Sequence, residues 1–372
     1  MSSYNVYLPN YSVGEDCYKD IPYITRKYGT KAVVIGGKTA IEKAKSAILS
    51  GTQDSNIEIL DFLWYGGNSN MENVEKLKSN PLVQAADMLF GVGGGRACDT
   101  VKTVADMLDK PIFTFPTLAS NCAGCTALCV IYNEDGSFKE YYYPKHPPYH
   151  TFINTQIIAE APYDMFWAGI GDALSKEYEV SFACRDKNLY HIPLLGLGIA
   201  KTCTSPLIDL GKKALEDCKN KKASFELEQV ALDIIMLTGI VSNCETHINQ
   251  PDPNDRYYYN SSLAHCVYYG SSLIPECEKH LHGEIVAFGV LCLLTYDNNL
   301  EERNKILAFN KSIGLPTTMK EIGLTERDLP IVAKKAASVI EWEYAPGMPT
   351  EEKFIKAIKD ADTAGKQVCT KR

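Results

Sequence analysis

The chain has 372 residues, of which 45% are hydrophobic and 23% charged, with 38 lysines and arginines against 46 aspartates and glutamates. This composition is typical of a globular protein and excludes wholesale disorder or a fibrous repeat. The net charge of −8, without a run of basic residues, argues against nucleic acid or an anionic membrane as a partner.

Short β-branched runs alternate with helical patterns over residues 1–160, as in βαβ units that form a parallel sheet. The predicted helices of this half are 39–49, one that begins near Met71, and one that follows the third strand and carries Val101 and Val104 on its apolar face. Because such a sheet binds ligands at the carboxyl ends of its strands, we expect a site there. The predicted strands are 32–35, 57–62, 88–92, 112–115 and 127–132.

Helical periodicity dominates from residue 161 onward. The longest apolar run, 285–294, is expected to be a buried helix, and the turn-rich segment Pro251–Asp255 interrupts the pattern. We therefore predict an α/β domain over 1–160 and an all-α domain over 161–372, with a cleft between them. The predicted helices of the second domain are 172–184, 207–219, 225–243, 261–273, 283–296 and 351–360.

The cysteine usage and the N-terminal residues indicate in which cellular compartment the protein is found. Thirteen cysteines, scattered from Cys17 to Cys369 without framework spacing, are typical of reduced thiols. Residues Met1–Asn5 lack the basic and apolar regions of a signal peptide, and no apolar run reaches the roughly 18–20 residues that span a bilayer. We therefore expect a cytoplasmic protein.

The segment Gly91–Thr100, which reads GVGGGRACDT, lies between a predicted strand and a predicted helix. Glycines at such a point let the backbone approach a pyrophosphate, and the helix N-terminus offers free N–H groups and the positive end of its dipole. The segment departs from the dinucleotide fingerprint G-x-G-x-x-G because Arg96 replaces the third glycine. A tight turn without a ligand is the alternative interpretation.

Three residues of the second half could hold a metal: Asp172, His265 and His282. Each alone has an ordinary interpretation, Asp172 as a helix cap and the histidines as polar core or surface residues. Together they supply one carboxylate and two imidazoles, which suit a catalytic Zn²⁺ or Fe²⁺ with an open coordination position. Such a metal would polarise a carbonyl or stabilise an alkoxide.

The glycine turn through Lys102, then Pro116–Ser120, Gly169–Leu174 and His282–Gly289, resemble the iron-containing alcohol dehydrogenase superfamily, and most closely its glycerol dehydrogenase-like branch. The resemblance implies the fold that this superfamily shares with dehydroquinate synthase. In that fold the α/β domain binds NAD or NADP, and the all-α domain holds one divalent metal. It also implies a homo-oligomeric enzyme that transfers hydride between the nicotinamide and a small hydroxy compound or carbonyl.

The resemblance also implies roles for individual residues. Asp172, His265 and His282 match the catalytic metal ligands. The pyrophosphate contacts correspond to Gly94, Gly95 and Arg96. The rest of the cofactor pocket corresponds to Thr117, Ser120, Thr126, Leu128 and Tyr132.

Three positions depart from the pattern of the branch, and the first concerns the cofactor. Where glycerol dehydrogenases carry an Asp that binds the adenosine ribose, the chain reads Gly36-Gly37-Lys38. Loss of that acid beside a lysine permits a 2′-phosphate. We therefore expect Gly37 and Lys38 to contact the cofactor, and NADP to be accepted. In the alternative, Lys38 points to solvent.

The other two departures concern substrate and metal. Cys122 stands where the branch has its glycerol-binding Asp, and a thiol is a weak substitute for a carboxylate. Lys176 stands where iron-type members have a further His, which leaves three protein ligands and favours Zn²⁺ over Fe²⁺. A Lys176 that faces the substrate could meet a carboxylate, as in the hydroxycarboxylate dehydrogenase branch. A solvated surface lysine is the alternative.

The sequence therefore favours a 2-hydroxy acid and its 2-oxo acid as the substrate pair. Glycerol or another vicinal diol, with dihydroxyacetone as the product of glycerol, is the alternative. A lyase of the dehydroquinate synthase type would need several cations around a phosphorylated substrate, whereas the sequence offers Lys176 and Arg185. A non-catalytic nucleotide-binding protein would not need an intact set of metal ligands.

Overall fold

The computed structural model describes residues 6–249 and 253–369. The chain divides into two compact units. The first contains the chain up to Phe166 together with Lys213–Asn243, and the second contains Trp167–Lys212 and the chain from Cys244 onward. The predicted domains, 1–160 and 161–372, differ from these units in residues 161–166 and 213–243.

A parallel sheet forms the centre of the first unit. The strands in the described part of this unit are β1 (Tyr11–Val13), β2 (Lys31–Gly36), β3 (Glu58–Trp64), β4 (Met88–Gly93), β5 (Ile112–Pro116), β6 (Cys129–Tyr132), β7 (Phe138–Tyr142) and β8 (His150–Ile153). Six of them pair in the order β1–β8–β5–β4–β2–β3, and β6 and β7 form a separate antiparallel pair.

The helices follow the chain as α1 (Ile21–Thr25), α2 (Lys38–Thr52), α3 (Met71–Lys78), α4 (Pro81–Ala85), α5 (Gly95–Met107), α6 (Thr155–Ala159), α7 (Tyr163–Ala173), α8 (Ser175–Ala183), α9 (His191–Ala200), α10 (Thr204–Lys219), α11 (Phe225–Leu232), α12 (Thr238–Glu245), α13 (Leu263–Ser271), α14 (His282–Tyr296), α15 (Leu300–Ile313), α16 (Leu329–Ala336), α17 (Ile340–Glu343) and α18 (Glu351–Cys369). A π-helical stretch, Asp233–Leu237, joins α11 to α12. Short 3₁₀ turns are formed by Cys17–Asp20, Ala123–Cys125, Pro253–Asp255, Cys277–Lys279 and Met319–Ile322.

Helices cover both faces of the parallel sheet. Val33 and Ile35 of β2 pack in one apolar cluster with the buried side of α5, whereas Val34 packs in the other with α2. Burial on both faces explains why the strands read as continuous apolar runs and not as alternating patterns. It also leaves the carboxyl edge of the sheet as the place where loops can present functional groups.

The described part of the second unit is mainly helical, with one small antiparallel pair, β9 (Thr246–His247) and β10 (Tyr257–Tyr258). The apolar run 285–294 lies in α14 and is buried throughout, as predicted. Among the described residues, no helix has both the length and the apolar character that crossing a membrane requires.

Several predicted elements differ in detail. The single predicted helix 172–184 is two helices, α7 and α8, and the strand predicted at 127–132 pairs outside the parallel sheet. The helix predicted at 225–243 contains the π-helical stretch. Strands β1 and β8 and helices α9, α15 and α16 were not predicted. Of the turn-rich segment, residues 253–255 form a 3₁₀ turn, while Pro251 and Asp252, like Met1–Asn5, lie outside the described residues.

Candidate metal and cofactor sites

Asp172, His265 and His282 come together in the second unit. Each offers one ligand atom, and these atoms lie within 4.8 Å of one another. Oδ1 of Asp172 is 3.0 Å from Nε2 of His282 and 3.5 Å from Nε2 of His265. Within residues 6–249 and 253–369, this is the one such group of three histidine, cysteine or acidic side chains.

The three side chains come from three different helices. Asp172 lies in the last turn of α7, His265 in the first turn of α13, and His282 is the first residue of α14. Asp172 does not cap α8, since the N-cap residue of that helix is Leu174. The side chains are 16%, 13% and 35% exposed, respectively, so His282 is the most open to solvent.

The neighbouring charges shift the pKa of Asp172 and the pKa of His265 in opposite directions. Burial alone would raise the pKa of Asp172, but His282 and His265 outweigh burial and hold it well below its usual range. Burial alone would lower the pKa of His265, but Glu179 and Asp172 raise it to about 10. The cluster therefore keeps its carboxylate ionised, as a metal ligand must be.

Glu179 is a buried neighbour of this cluster that sequence reasoning missed. Its Oε2 lies 2.7 Å from Nδ1 of His265, and its Oε1 accepts the backbone N–H groups of Ser262 and His265. Burial alone would raise its pKa, but the His265 ring and these N–H groups lower it. The sequence carried no clear signal for this role, because α8 reads SKEYEVSFA and mixes polar with apolar residues around Glu179.

The ammonium of Lys176 is not a free cation, because it is hydrogen-bonded to Asn260. Its Nζ donates to Oδ1 of Asn260 at 2.6 Å and to the Asn260 carbonyl oxygen at 3.0 Å, and the residue is 6% exposed. It is therefore neither the solvated surface lysine of the alternative interpretation nor an unoccupied carboxylate receptor.

The predicted cofactor residues lie at the carboxyl edge of the sheet in the first unit. Strands β2 and β4 are neighbours, with Gly36 opposite Val92, so the turns that follow them share one edge. Gly94 is the N-cap residue of α5 and supplies no side-chain cap. Gly93 has φ +143°, and a Cβ there would lie 2.9 Å from Cβ of Ala97. The turn therefore requires glycine at position 93, and Gly94 adds no side chain of its own at the start of α5.

Two basic residues at this edge rest on aromatic rings. The guanidinium carbon of Arg96 lies 4.5 Å from the ring centre of Tyr132, and Nζ of Lys38 lies 4.6 Å from that of Trp64. Both cations follow the N-cap residues of their helices, Gly94 for Arg96 and Gly37 for Lys38. Cation–π contacts of this kind restrain the side chains without neutralising their charge.

A buried ion pair holds the predicted pocket loop. Nζ of Lys102 donates to the carbonyl oxygens of Leu128 and Thr126, at 2.7 and 3.1 Å, and pairs with Asp99 at 2.9 Å. Oδ2 of Asp99 accepts the N–H of Val130 at 3.0 Å. Sequence reasoning did not assign this supporting role, although a charged i,i+3 pair on a buried helix face signals it.

The remaining predicted residues flank this loop. Thr117 donates its N–H to the Gly93 carbonyl oxygen at 3.3 Å, and Ser120 is half-buried. Cys122 precedes a 3₁₀ turn, in which its carbonyl oxygen accepts the N–H of Cys125 at 3.0 Å.

The loop is also hydrogen-bonded to Asn243. Oδ1 of Asn243 accepts the Ala127 N–H at 2.8 Å, and its Nδ2 donates to the Cys125 carbonyl oxygen at 2.9 Å.

These donor sets fit the groups that the resemblance implies. One carboxylate oxygen and two imidazole nitrogens, partly open to solvent, suit a catalytic divalent metal. The N–H groups at the start of α5, beside Arg96, suit a pyrophosphate.

Comparison with known proteins identifies relatives over most of the chain. The sequence model of the family described as iron-containing alcohol dehydrogenase matches residues 9–155. A glycerol dehydrogenase of Thermotoga maritima is 31% identical over 312 residues, 81% of each chain. A glycerol dehydrogenase of Citrobacter freundii is 31% identical over 347 residues, 90% of each chain.

A further relative and a solved structure extend this comparison. Hydroxycarboxylate dehydrogenase A of Escherichia coli is 29% identical over 355 residues, 92% of each chain. The structure of a probable glycerol dehydrogenase from Sinorhizobium meliloti is similar, with a TM-score of 0.83 at 25% identity, and the match covers 98% of this chain and 100% of that one.

Proposed function

The chain belongs to the iron-containing alcohol dehydrogenase family, in its glycerol dehydrogenase-like branch, and we propose that it oxidises a small polyol of the glycerol class. Membership confirms the predicted fold class and the predicted NAD(P)-dependent alcohol dehydrogenase activity. The lyase and non-catalytic alternatives are set aside. The predicted preference for a 2-hydroxy acid has less support, because the relatives at 31% identity are named glycerol dehydrogenases.

The convergence of Asp172, His265 and His282 is the observation that carries the proposal. A divalent metal held there would polarise the oxygen on the reacting carbon of the substrate. We favour Zn²⁺ because three ligands of this kind with an open position are its usual catalytic set. The fourth position of the iron-type pattern is Lys176, whose ammonium is engaged by Asn260.

The first unit would hold the cofactor. The first-turn N–H groups of α5 and the Arg96 guanidinium would bind the pyrophosphate, whose charge they complement. The turn at Gly37 carries no acid that would repel a 2′-phosphate, and Lys38 stands next to it. We therefore propose that both NAD and NADP are used.

A 2-hydroxy acid remains the second candidate for the substrate. It is favoured by Cys122 at the position of the glycerol-binding acid, and by the relationship to a hydroxycarboxylate dehydrogenase. The engagement of Lys176 by Asn260 counts against it, because two of the three ammonium N–H groups are already hydrogen-bonded and the residue is only 6% exposed. The polyol is therefore the first choice.

Initial rates on metal-depleted and metal-reloaded protein test the proposal. Zn²⁺ or Fe²⁺ is added back after chelation, and nicotinamide absorbance is followed with NAD(H) or NADP(H). Glycerol and dihydroxyacetone are compared with lactate and pyruvate. We expect metal-dependent turnover with a higher kcat/KM for the glycerol pair. A higher kcat/KM for pyruvate would move the assignment to the second candidate, and turnover without metal would contradict the role of the cluster.

The proposal also covers the cellular location and the assembly of the enzyme. We propose a cytoplasmic homo-oligomer, on the basis of the cysteine usage and the family resemblance. Sedimentation of the purified protein tests the assembly.

A further inference from the structure

Glu179 makes three hydrogen bonds from a fully buried position. Its Oε1 accepts the backbone N–H groups of Ser262 and His265 at 2.8 and 2.9 Å, and its Oε2 lies 2.7 Å from Nδ1 of His265. The carboxylate belongs to α8, seven residues after Asp172, and its partners lie at the start of α13. One side chain therefore links the helix that follows one proposed ligand to the helix that carries another.

The first consequence concerns the helix. Ser262 is the N-cap residue of α13, but its own side chain makes no cap hydrogen bond. Two of the N–H groups that a helix start leaves without intrahelical partners are instead satisfied by the distant carboxylate. Glu179 thereby fixes where α13 begins and where His265 stands.

The second consequence concerns the imidazole. An ionised carboxylate can only accept, so Nδ1 of His265 must carry the proton in this contact. In the neutral ring the lone pair is then on Nε2, the atom 3.5 Å from Oδ1 of Asp172. When the ring gives up its second proton, as binding of a metal requires, the nitrogen left as acceptor is the one that faces Asp172.

We propose that Glu179 is a positioning residue that selects the His265 tautomer able to bind the metal and holds its ring in place. This inference rests on the proposed function, because it takes His265 as a metal ligand. Outer partners of this kind affect metal affinity by about 10- to 100-fold. Glu179 touches neither metal nor substrate in this role.

The variant E179Q separates the two consequences. The amide oxygen can still accept the Ser262 and His265 N–H groups, so the helix cap is retained. The amide nitrogen then faces Nδ1 as a donor, which forces the ring proton onto Nε2 and removes the lone pair from the metal side. We expect Zn²⁺ affinity to fall by about 10- to 100-fold with little change in the Tm of the metal-free protein.

E284Q is the matched control. Glu284 likewise accepts a backbone N–H at a helix start, that of Leu281, and likewise contacts a histidine Nδ1. That histidine is His280, which is not a proposed ligand. Loss of this carboxylate in the first turn of α14 should therefore leave Zn²⁺ affinity near the wild-type value.

Zn²⁺ dissociation constants are measured by competition with a chromophoric chelator, and NAD binding is measured in parallel. Equal Zn²⁺ affinity of E179Q and wild type would overturn the inference, as would an equal loss in E284Q. Wild type that binds neither Zn²⁺ nor Fe²⁺ would instead overturn the proposed function.

If E179Q does not fold, ¹⁵N-histidine spectra of the Zn²⁺-loaded wild type decide the question. A proton on Nδ1 of His265, with the metal on Nε2, supports the inference. The opposite tautomer contradicts it.

Discussion

Gly283 packs directly against the backbone of Ala168: a Cβ on this glycine would lie 1.8 Å from the Ala168 carbonyl oxygen. Gly171 makes the reciprocal approach, since its Cβ would lie 2.4 Å from the Gly283 carbonyl oxygen. Helices α7 and α14 therefore meet at backbone contact. Asp172 and His282 are the chain neighbours of these glycines, which is why their side chains reach 3.0 Å.

Gly283→Ala is expected to push α7 and α14 apart. Overpacking of this kind costs about 1–3 kcal/mol, and the added distance between Asp172 and His282 should weaken Zn²⁺ binding. Thermal unfolding and Zn²⁺ titration measure the two effects. Gly198→Ala, at an exposed helical glycine with no atom within 4 Å of an added Cβ, is the control and should be neutral or slightly stabilising. Similar results for both variants would contradict the packing argument.

His282→Ala should abolish turnover while leaving NAD binding intact, because the proposed cofactor residues belong to the other unit. Zn²⁺ content and NAD affinity are the measurements. His280→Ala is the control two residues away, since that ring pairs with Glu284 on a partly exposed surface and should contribute at most about 1 kcal/mol. Retained Zn²⁺ in H282A would remove this residue from the ligand set.

Lys176→Met is expected to destabilise the protein without changing substrate preference. Loss of the ammonium leaves two Asn260 oxygens without this donor, at a cost of about 1–3 kcal/mol. The KM values for pyruvate and dihydroxyacetone should change by the same factor. A selective rise in the KM for pyruvate would restore Lys176 as a carboxylate contact.

Gly37→Asp should lower NADPH use more than NADH use. The site has room for a side chain, because an added Cβ would meet its nearest neighbour, Cβ of Ala40, at 3.7 Å. The new carboxylate would repel a 2′-phosphate and could bind ribose hydroxyls. Gly37→Ala, with the same Cβ and no charge, is the control. An unchanged ratio of kcat/KM for the two cofactors would place the adenosine ribose elsewhere.

Glu245→Gln should flatten the pH dependence of stability. Burial raises the pKa of Glu245 from 4.5 to about 8, and the Cys184 thiol and Lys176 only partly offset this rise. Between these values the folded state holds a proton that the unfolded state releases. The contribution of Glu245 to the free energy of unfolding is therefore fully present below pH 4.5. It falls as the pH rises toward 8, by up to ~1.4 kcal/mol per pH unit. Tm measured against pH for both proteins tests this, and parallel curves would contradict it.

Part of the candidate site could be proposed from the sequence because it rests on local patterns. The turn from β4 into α5 is encoded by contiguous glycines, and two of the proposed metal ligands, Asp172 and His282, lie in short motifs. Strands β1 and β8 were missed because three or four residues are too few for a periodicity. The strand ending at Tyr132 was predicted. Its partner, Phe138–Tyr142, was not, because this segment becomes a strand through pairing with β6 and its composition alone does not indicate one.

Side-chain partners were harder to predict than side-chain types. Lys176 is a cation that could bind a carboxylate, but in the folded chain its ammonium is hydrogen-bonded to Asn260, 84 residues later. Glu179 reads as an ordinary helix residue until the folded chain supplies its partners. Burial of such groups is set by tertiary packing, which the spacing of residues along one helix does not specify.

The placement of Lys213–Asn243 in the first unit means that the chain passes between the units three times, after Phe166, Lys212 and Asn243. A gene fragment ending at residue 160 would lack Asn243, whose amide holds the loop that carries Thr126 and Leu128. If such a fragment were joined to the remainder of a relative, this loop would meet the relative's residue at the position of Asn243. In an exchange between family members, residues 213–243 should therefore be transferred together with the chain up to Phe166, so that the loop keeps its own Asn243.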